Sequence, residues 1–126
     1  MPAPFNRVAL LGGSYDVRNG FRVRLRMARS SDVAPIRALF ERSRGTRELE
    51  LVPLVQFDPR RRCVICATAL IDGAETLVGV GSIALDGDGP ADPDTLIVAD
   101  EHADEIGVLL ADALAARAAI SATRAA

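Results

Sequence analysis

Cys63 and Cys66 are three residues apart, a spacing found in redox pairs and in half of a zinc site. They lie in the apolar run of residues 63–71, which predicts a β-strand, and residues three apart on a strand point to opposite faces. A redox pair favours a helix N-terminus, and a zinc site needs further ligands, whereas the chain has one histidine. We therefore expect two small, buried core thiols instead of a redox or zinc site.

A second group of chemically capable residues is acidic: Asp100, Glu101, Asp104 and Glu105 surround His102. The residues that follow predict a helix, and acids at its start are favourable, because each stabilises the helix by about 0.3–1 kcal/mol through its interaction with the helix dipole. Their oxygens are also ligands for a hard metal ion, but the spacing matches no calcium loop, so we predict no metal site. The ordinary pKa of a histidine suits a general base at neutral pH, although a single histidine in an acidic segment, such as His102, is more often a surface residue.

Charge is unevenly distributed along the chain. All 15 basic residues are arginine; residues 1–62 carry 13 of them and six acids, a net of +7, whereas residues 63–126 carry two and 11 acids, a net of −9. The arginines are not interleaved with aromatic residues, so we predict no nucleic-acid partner. A basic half beside an acidic half favours self-association or internal pairing, and we expect a homodimer.

Length and hydropathy indicate a single domain over residues 1–126. Of its 126 residues 49% are hydrophobic, enough for a buried core. No apolar run approaches the roughly 18 residues of a membrane span. Residues 1–5 lack the basic and apolar regions of a secretion signal, so we expect a cytoplasmic protein with no membrane partner.

The elements that must position these residues begin with two short strands. Residues 8–11 form an apolar run, and Asn19-Gly20 predicts a hairpin between residues 15–17 and 21–27. Alternation on residues 21–27 predicts one core face and one charged face, with Arg22, Arg24 and Arg26 on the latter. Ser31 or Asp32 is expected to cap a helix whose apolar stripe is Val33, Ile36, Leu39 and Phe40.

The second half of the chain predicts three strands and a helix. Residues 62–71 and 76–85 flank Asp72-Gly73 and are apolar on both faces, as in a sheet covered by helices on both sides. A short strand at 95–99 precedes a helix over 106–120. This order predicts an α+β fold with a mostly antiparallel central sheet flanked by helices.

Over residues 15–120, several short sequence segments and their order along the chain resemble the GNAT superfamily of acyl-CoA-dependent N-acyltransferases, and within it the bacterial protein lysine acetyltransferase branch. The resemblance implies a GNAT-like fold, acetyl-CoA or another acyl-CoA as cofactor, and an amine as acceptor. The segments on which this resemblance depends are Arg18-Asn-Gly20, Val23-Arg-Leu-Arg26, Ser31-Asp32, Leu39-Phe-Glu-Arg-Ser43, Phe57-Asp58, Leu77-Val-Gly-Val-Gly81, Ile97-Val-Ala-Asp100 and Ile106-Gly107.

In that superfamily the strand ending here near Ala99 leads to a loop of the form Arg/Gln-x-x-Gly-x-Gly, whose N–H groups hold the pyrophosphate of coenzyme A. The resemblance places this cofactor-binding role on His102, Ala103, Asp104, Glu105, Ile106 and Gly107, of which only Gly107 matches a motif position. Glu105 stands where glycine is expected, and residues 100–105 include four acids. A phosphate beside one of these acids would cost roughly 3 kcal/mol at ~5 Å and a dielectric near 20, before screening.

The resemblance also implies a Glu general base on the strand before this loop. The nearest acids are Asp92 and Asp94, and Asp94 is the better candidate for a catalytic base. Family members continue past this helix with a strand, a helix and a hairpin, and often with a Tyr that protonates the leaving thiolate. The resemblance therefore implies a domain that lacks its C-terminal part, and Tyr15, the one tyrosine, lies on the N-terminal hairpin.

Three functions are consistent with these residues. One is acetyl-CoA-dependent acyl transfer to an amine, by one chain or by two chains that complete each other. The second is a non-catalytic, homodimeric interaction or regulatory module derived from an acetyltransferase, with a protein partner and no cofactor. The third is a partner subunit whose acyl-CoA-binding half lies on another chain. For a homodimer we expect strand 95–99, as an exposed sheet edge, or helix 106–120 at the interface.

Overall fold

A computed structural model describes residues 14–17, 21–44, 54–58, 60–85, 95–98 and 103–125. The strands are β1 (Ser14–Val17), β2 (Phe21–Met27), β3 (Arg62–Ile71), β4 (Ala74–Ala84) and β5 (Thr95–Val98). The helices are α1 (Val33–Arg44), preceded by a 3-10 turn at Ser30–Asp32, and α2 (Ala103–Ala125). The predicted strand at residues 8–11 and the turn Asn19-Gly20 lie outside the described residues.

The five described strands form one sheet in chain order, β1-β2-β3-β4-β5, and each is antiparallel to its neighbours. β1 and β2 pair with Val17 opposite Phe21, which confirms the predicted hairpin. Between β3 and β4, Asp72 and Gly73 have φ angles of 52° and 80°, the positive values that a two-residue hairpin turn requires. The α+β class and the antiparallel sheet are thus as predicted.

The sheet is packed on both faces, because β3 is buried from Cys63 to Ala69. The two helices divide these faces between them. On the α2 face the core consists of Val23, Leu25, Cys63, Ile65, Ala67, Ala69, Val78 and Ile83 with Ile106, Leu110, Ala113 and Leu114 of α2. On the α1 face it consists of Leu54, Val64, Cys66, Leu77, Val80 and Ile97 with Ile36, Leu39 and Phe40 of α1.

A β-bulge in β4 adjusts the sheet to α2. Thr68 lies opposite Leu77, whereas Ala67 lies opposite Gly79, so Val78 is the extra residue. Val78 joins the core on the α2 face, and a Cβ on Gly79 would lie 3.0 Å from both Ile106 Cγ2 and Leu110 Cδ1. The glycine therefore lets α2 pack directly on the backbone of β4.

The sequence predictions were wrong at several boundaries and stripe positions. α2 begins at Ala103 instead of 106 and extends to Ala125, and β4 begins at Ala74 instead of 76. In α1, Val33 is 37% exposed because it occupies the first helical position, away from the sheet-facing Ile36, Leu39 and Phe40. Ile120 of α2 is 42% exposed, beyond the part of the helix that packs on the sheet.

Candidate functional site

The residues predicted to act as a catalytic base or to bind an acyl-CoA are only partly described. Asp94 and His102 lie outside the described residues, whereas Ala103, Asp104, Glu105, Ile106 and Gly107 form the start of α2. The segment expected as a loop is therefore helical from its second residue. Asp104 and Glu105 fall in the first helical turn, where negative charge is favourable to the helix dipole.

Packing at this helix start depends on Ile106. Its side chain is fully buried and lies over Gly79. The following Gly107 is half-buried, and a Cβ there would meet no heavy atom within 4 Å. Neither a positive φ nor a close approach by described residues explains the glycine at 107.

The most buried charged cluster in the described part of the chain lies elsewhere, on the α1 face, and sequence analysis missed it. Arg26 of β2 and Asp32 of the 3-10 turn form a bidentate ion pair, with Nη1–Oδ2 and Nη2–Oδ1 distances of 2.7 Å. The side chains are 12% and 5% exposed. Arg26 belongs to the predicted charged face of β2, but its burial was not predicted, because it results from the turn into α1 that brings Asp32 back over it.

Further contacts complete this Arg26–Asp32 pair. The N–H of Arg29 donates to Asp32 Oδ2 at 2.6 Å, Arg26 Nη1 also donates to the carbonyl of Met27 at 3.2 Å, and Glu75 Oε1 lies 3.5 Å from Arg26 Nη2. The hydrogen bonds from Arg26 hold the pKa of Asp32 below its ordinary value, against the opposing effect of burial. Both oxygens of this carboxylate accept hydrogen bonds from β2 and the turn. Asp32 is therefore better suited to holding the turn against β2 than to acting as a general base.

The two cysteines lie on opposite faces of the sheet, as predicted. Cys66 is fully buried on the α1 face with Sγ 4.0 Å from Asp32 Oδ2, and Cys63 is buried on the α2 face with Sγ 3.9 Å from Met27 Sδ. Both are free thiols. Burial raises the pKa of Cys63, and it raises the pKa of Cys66 to about 12. They are neutral core thiols at physiological pH and do not form a redox or zinc pair with each other.

Arginines collect at the edge where β2 ends and β3 begins. We call Arg29, Arg60, Arg61 and Arg62 the arginine edge; the first three are exposed. Backbone hydrogen bonds place them together, since Ala28 N–H donates to Val64 O at 3.0 Å and Leu85 N–H donates to Arg61 O at 2.7 Å. Asp58 closes the preceding turn by accepting the N–H of Arg60 at 2.9 Å, which lowers the pKa of Asp58. The edge therefore carries a concentrated positive charge.

Neither a metal centre nor a membrane helix is found within the described residues. No three or more His, Cys, Asp or Glu side chains among them are grouped to hold a metal ion. No helix in that part of the chain is long and apolar enough to cross a membrane.

Comparisons of the chain with protein-family models, with curated proteins and with solved structures found no match. The relationship to GNAT enzymes therefore stays a prediction based on residues and their order.

Proposed function

We propose that this chain is a GNAT-like, N-acetyltransferase-related domain that acts as a non-catalytic interaction module. The order of elements supports the GNAT part of the proposal: a hairpin, a helix, antiparallel strands, and a helix that follows the last strand. Fold likeness alone says little about chemistry. Whether the domain can catalyse acyl transfer depends instead on the segment where an acyl-CoA would bind.

The residues at the start of α2 are unfavourable for binding an acyl-CoA. The first helical turn contains Asp104 and Glu105 where a phosphate site would present bare N–H groups. These carboxylates interact favourably with the helix dipole and repel an approaching diphosphate. A helix start of this composition is suited to stabilising the helix and unsuited to binding coenzyme A.

A thermal-shift titration with acetyl-CoA and with free coenzyme A tests the proposal. We expect a shift within about one degree at millimolar ligand, whereas a ligand at 100 times its dissociation constant would add about 2.7 kcal/mol and raise Tm by several degrees. A dose-dependent rise in Tm of that size would overturn it.

A charge-altered variant shows whether the acids are the obstacle. Asp104→Arg combined with Glu105→Gly removes two negative charges, adds one positive charge and places a glycine at the motif position, so the variant should acquire measurable affinity for coenzyme A. Asp112→Arg is the matched control, because it changes charge on an exposed position of the same helix without touching its first turn. Equal binding by both variants would contradict a role for the first turn.

The second candidate is acyl transfer from acetyl-CoA to an amine, with Asp94 as the candidate base. It is favoured by one observation: β5 leads within a few residues to the N-terminus of α2 at the end of the sheet, an arrangement typical of helix-end phosphate sites. Release of free coenzyme A in the presence of lysine peptides or small amines, abolished by Asp94→Asn, would establish this function instead.

A further inference from the structure

The arginine edge concentrates positive charge at one end of the sheet. The two segments that form it, residues 27–31 and 54–62, contain four arginines and one acid, Asp58. Asp58 Oδ1 lies 3.5 Å from Arg60 Nε, in an ion pair that is exposed to solvent. Arg29 and Arg61 are exposed and form no ion pair within the described residues. Their charges are therefore available to an anionic partner.

The carboxylate of Asp32 lies close to Arg29 but is already paired with Arg26. Its two oxygens accept hydrogen bonds from the Arg26 guanidinium at 2.7 Å, and the contact with Arg29 is made by the backbone N–H. The Arg26–Asp32 pair is neutral as a whole, so it leaves the net positive charge of the arginine edge unchanged.

Backbone hydrogen bonds hold the turn of the arginine edge in place. The N–H groups of Arg61 and Arg62 both donate to the carbonyl of Asp58, at 2.9 and 3.0 Å, and Leu85 N–H donates to Arg61 O at 2.7 Å. A surface whose backbone is already fixed loses less conformational entropy when a partner binds. The arginine edge is thus a preformed surface.

Apolar side chains border these arginines. Met27, Phe57 and Leu85 are half-buried, so each packs against the core and leaves part of its surface exposed. Arginine, methionine and aromatic residues are enriched where proteins contact each other. This composition favours a protein partner that carries an apolar side chain beside its acids.

The charge of the rest of the chain limits the length of the anion. The whole chain has a net charge of −2, and residues 63–126 have a net of −9. A long polyanion such as a nucleic acid would extend past the arginine edge and be repelled by this negative charge. A short acidic segment would contact the arginines alone, so the charge distribution favours the shorter partner.

We propose that the arginine edge binds a short acidic segment of a partner protein, with carboxylates on Arg29 and Arg61 and an apolar side chain beside Leu85. The proposal rests on the proposed function, because it names the partner of the interaction module. Binding of coenzyme A and binding of an acidic peptide are measured separately, so either proposal can fail alone. Small interfaces are typical of transient complexes, so we expect a dissociation constant in the micromolar range.

Fluorescence anisotropy with a labelled peptide of glutamates around one leucine tests the proposal. The wild-type chain should bind this peptide at low salt and lose affinity as salt rises, since exposed charges are screened. Arg29→Gln combined with Arg61→Gln should weaken binding about tenfold, or about 1.4 kcal/mol. Arg22→Gln combined with Arg24→Gln is the matched control, because it removes two exposed arginines of β2 outside the arginine edge, and it should bind as the wild type does.

Several results would overturn the proposal. The wild-type chain could fail to bind the peptide at low salt, or both double variants could lose affinity equally, which would indicate general charge attraction. Tighter binding of a duplex DNA than of the peptide, weakened by Arg29→Gln with Arg61→Gln, would assign the arginine edge to nucleic acid. Self-association of the wild type in sedimentation equilibrium, abolished by the same two substitutions, would assign it to a second copy of this chain.

Discussion

The two faces of the sheet are closed in different ways. On the α1 face, a bidentate ion pair between Arg26 and Asp32, with oxygen–nitrogen distances of 2.7 Å, ties the end of β2 to the start of the helix. On the α2 face, Ile106 and Leu110 pack directly on Gly79, in a close contact between apolar atoms. The α1 attachment should therefore respond to charge and pH, and the α2 attachment to side-chain volume.

The largest effect is expected from Asp32→Ala, which leaves the buried guanidinium of Arg26 with only the half-exposed Glu75 beside it. Breaking one side of a buried ion pair typically costs about 3–5 kcal/mol. Urea unfolding followed by circular dichroism measures the loss. Asp58→Ala is the control, since its carboxylate is 40% exposed and should cost far less.

Replacing both partners sharpens this prediction. In Arg26→Met with Asp32→Leu no unpaired charge remains, so the double variant should be more stable than Asp32→Ala alone. If the double variant is instead less stable than Asp32→Ala, the side chain of Arg26 stabilises the fold even without Asp32, and the prediction is wrong.

Gly79→Ala tests the shape-dependent face. The new Cβ would lie 3.0 Å from side-chain carbon atoms of Ile106 and Leu110, so these tightly packed side chains must move, at a cost of about 1–3 kcal/mol. Ile106→Ala leaves a cavity at the same contact and should cost about 2–5 kcal/mol. The double variant should be more stable than the sum of the two losses implies, because the added methyl group occupies part of the vacated space. Strictly additive losses in urea unfolding would contradict the direct contact.

The attachment of α1, which includes the Arg26–Asp32 ion pair, should weaken in acid, whereas the apolar contact of α2 with Gly79 should not. The folded-state pKa of Asp32 is lowered, so its contribution to stability is present above the unfolded-state value of about 3.9 and is lost as the pH falls through the folded-state pKa. Free energies of unfolding measured from neutral to strongly acidic pH should therefore fall more steeply for the wild type than for the variant carrying Arg26→Met and Asp32→Leu. Identical acid slopes would show that Asp32 is not paired in solution.

Local pattern was sufficient to predict much of the fold. The continuous apolar run at residues 63–71 indicated a strand buried on both faces, and the two-residue period of a strand separated Cys63 from Cys66. Asp72-Gly73 indicated the tight turn between β3 and β4. In each case the signal lies within a few residues of the element that it predicts, so no knowledge of the tertiary structure was needed.

Features that depend on contacts between distant elements were not predictable in this way. Arg26 follows the same alternation as the exposed Arg22 and Arg24, and only the return of the chain at Asp32 buries it. The bulge at Val78 depends on the pairing of β3 with β4, which sequence alternation does not report. Of the candidate site, the resemblance to a motif indicated a loop at residues 102–107. The acids at 104 and 105 are also strong signals for a helix start, and residues 103–107 form the start of α2.

The smallest expected effect concerns Gly107, the one residue that matches the glycine motif. It lies inside α2, where glycine is less favourable than alanine by about 0.8–1.0 kcal/mol. A Cβ there meets no heavy atom within 4 Å, so Gly107→Ala should stabilise the chain by up to that amount in urea unfolding. If the glycine serves acyl-CoA binding, the same substitution should also weaken any affinity for coenzyme A. A stabilised variant whose response to coenzyme A equals that of the wild type would support the non-catalytic role, whereas a destabilised variant would reveal a close neighbour of Gly107 in solution.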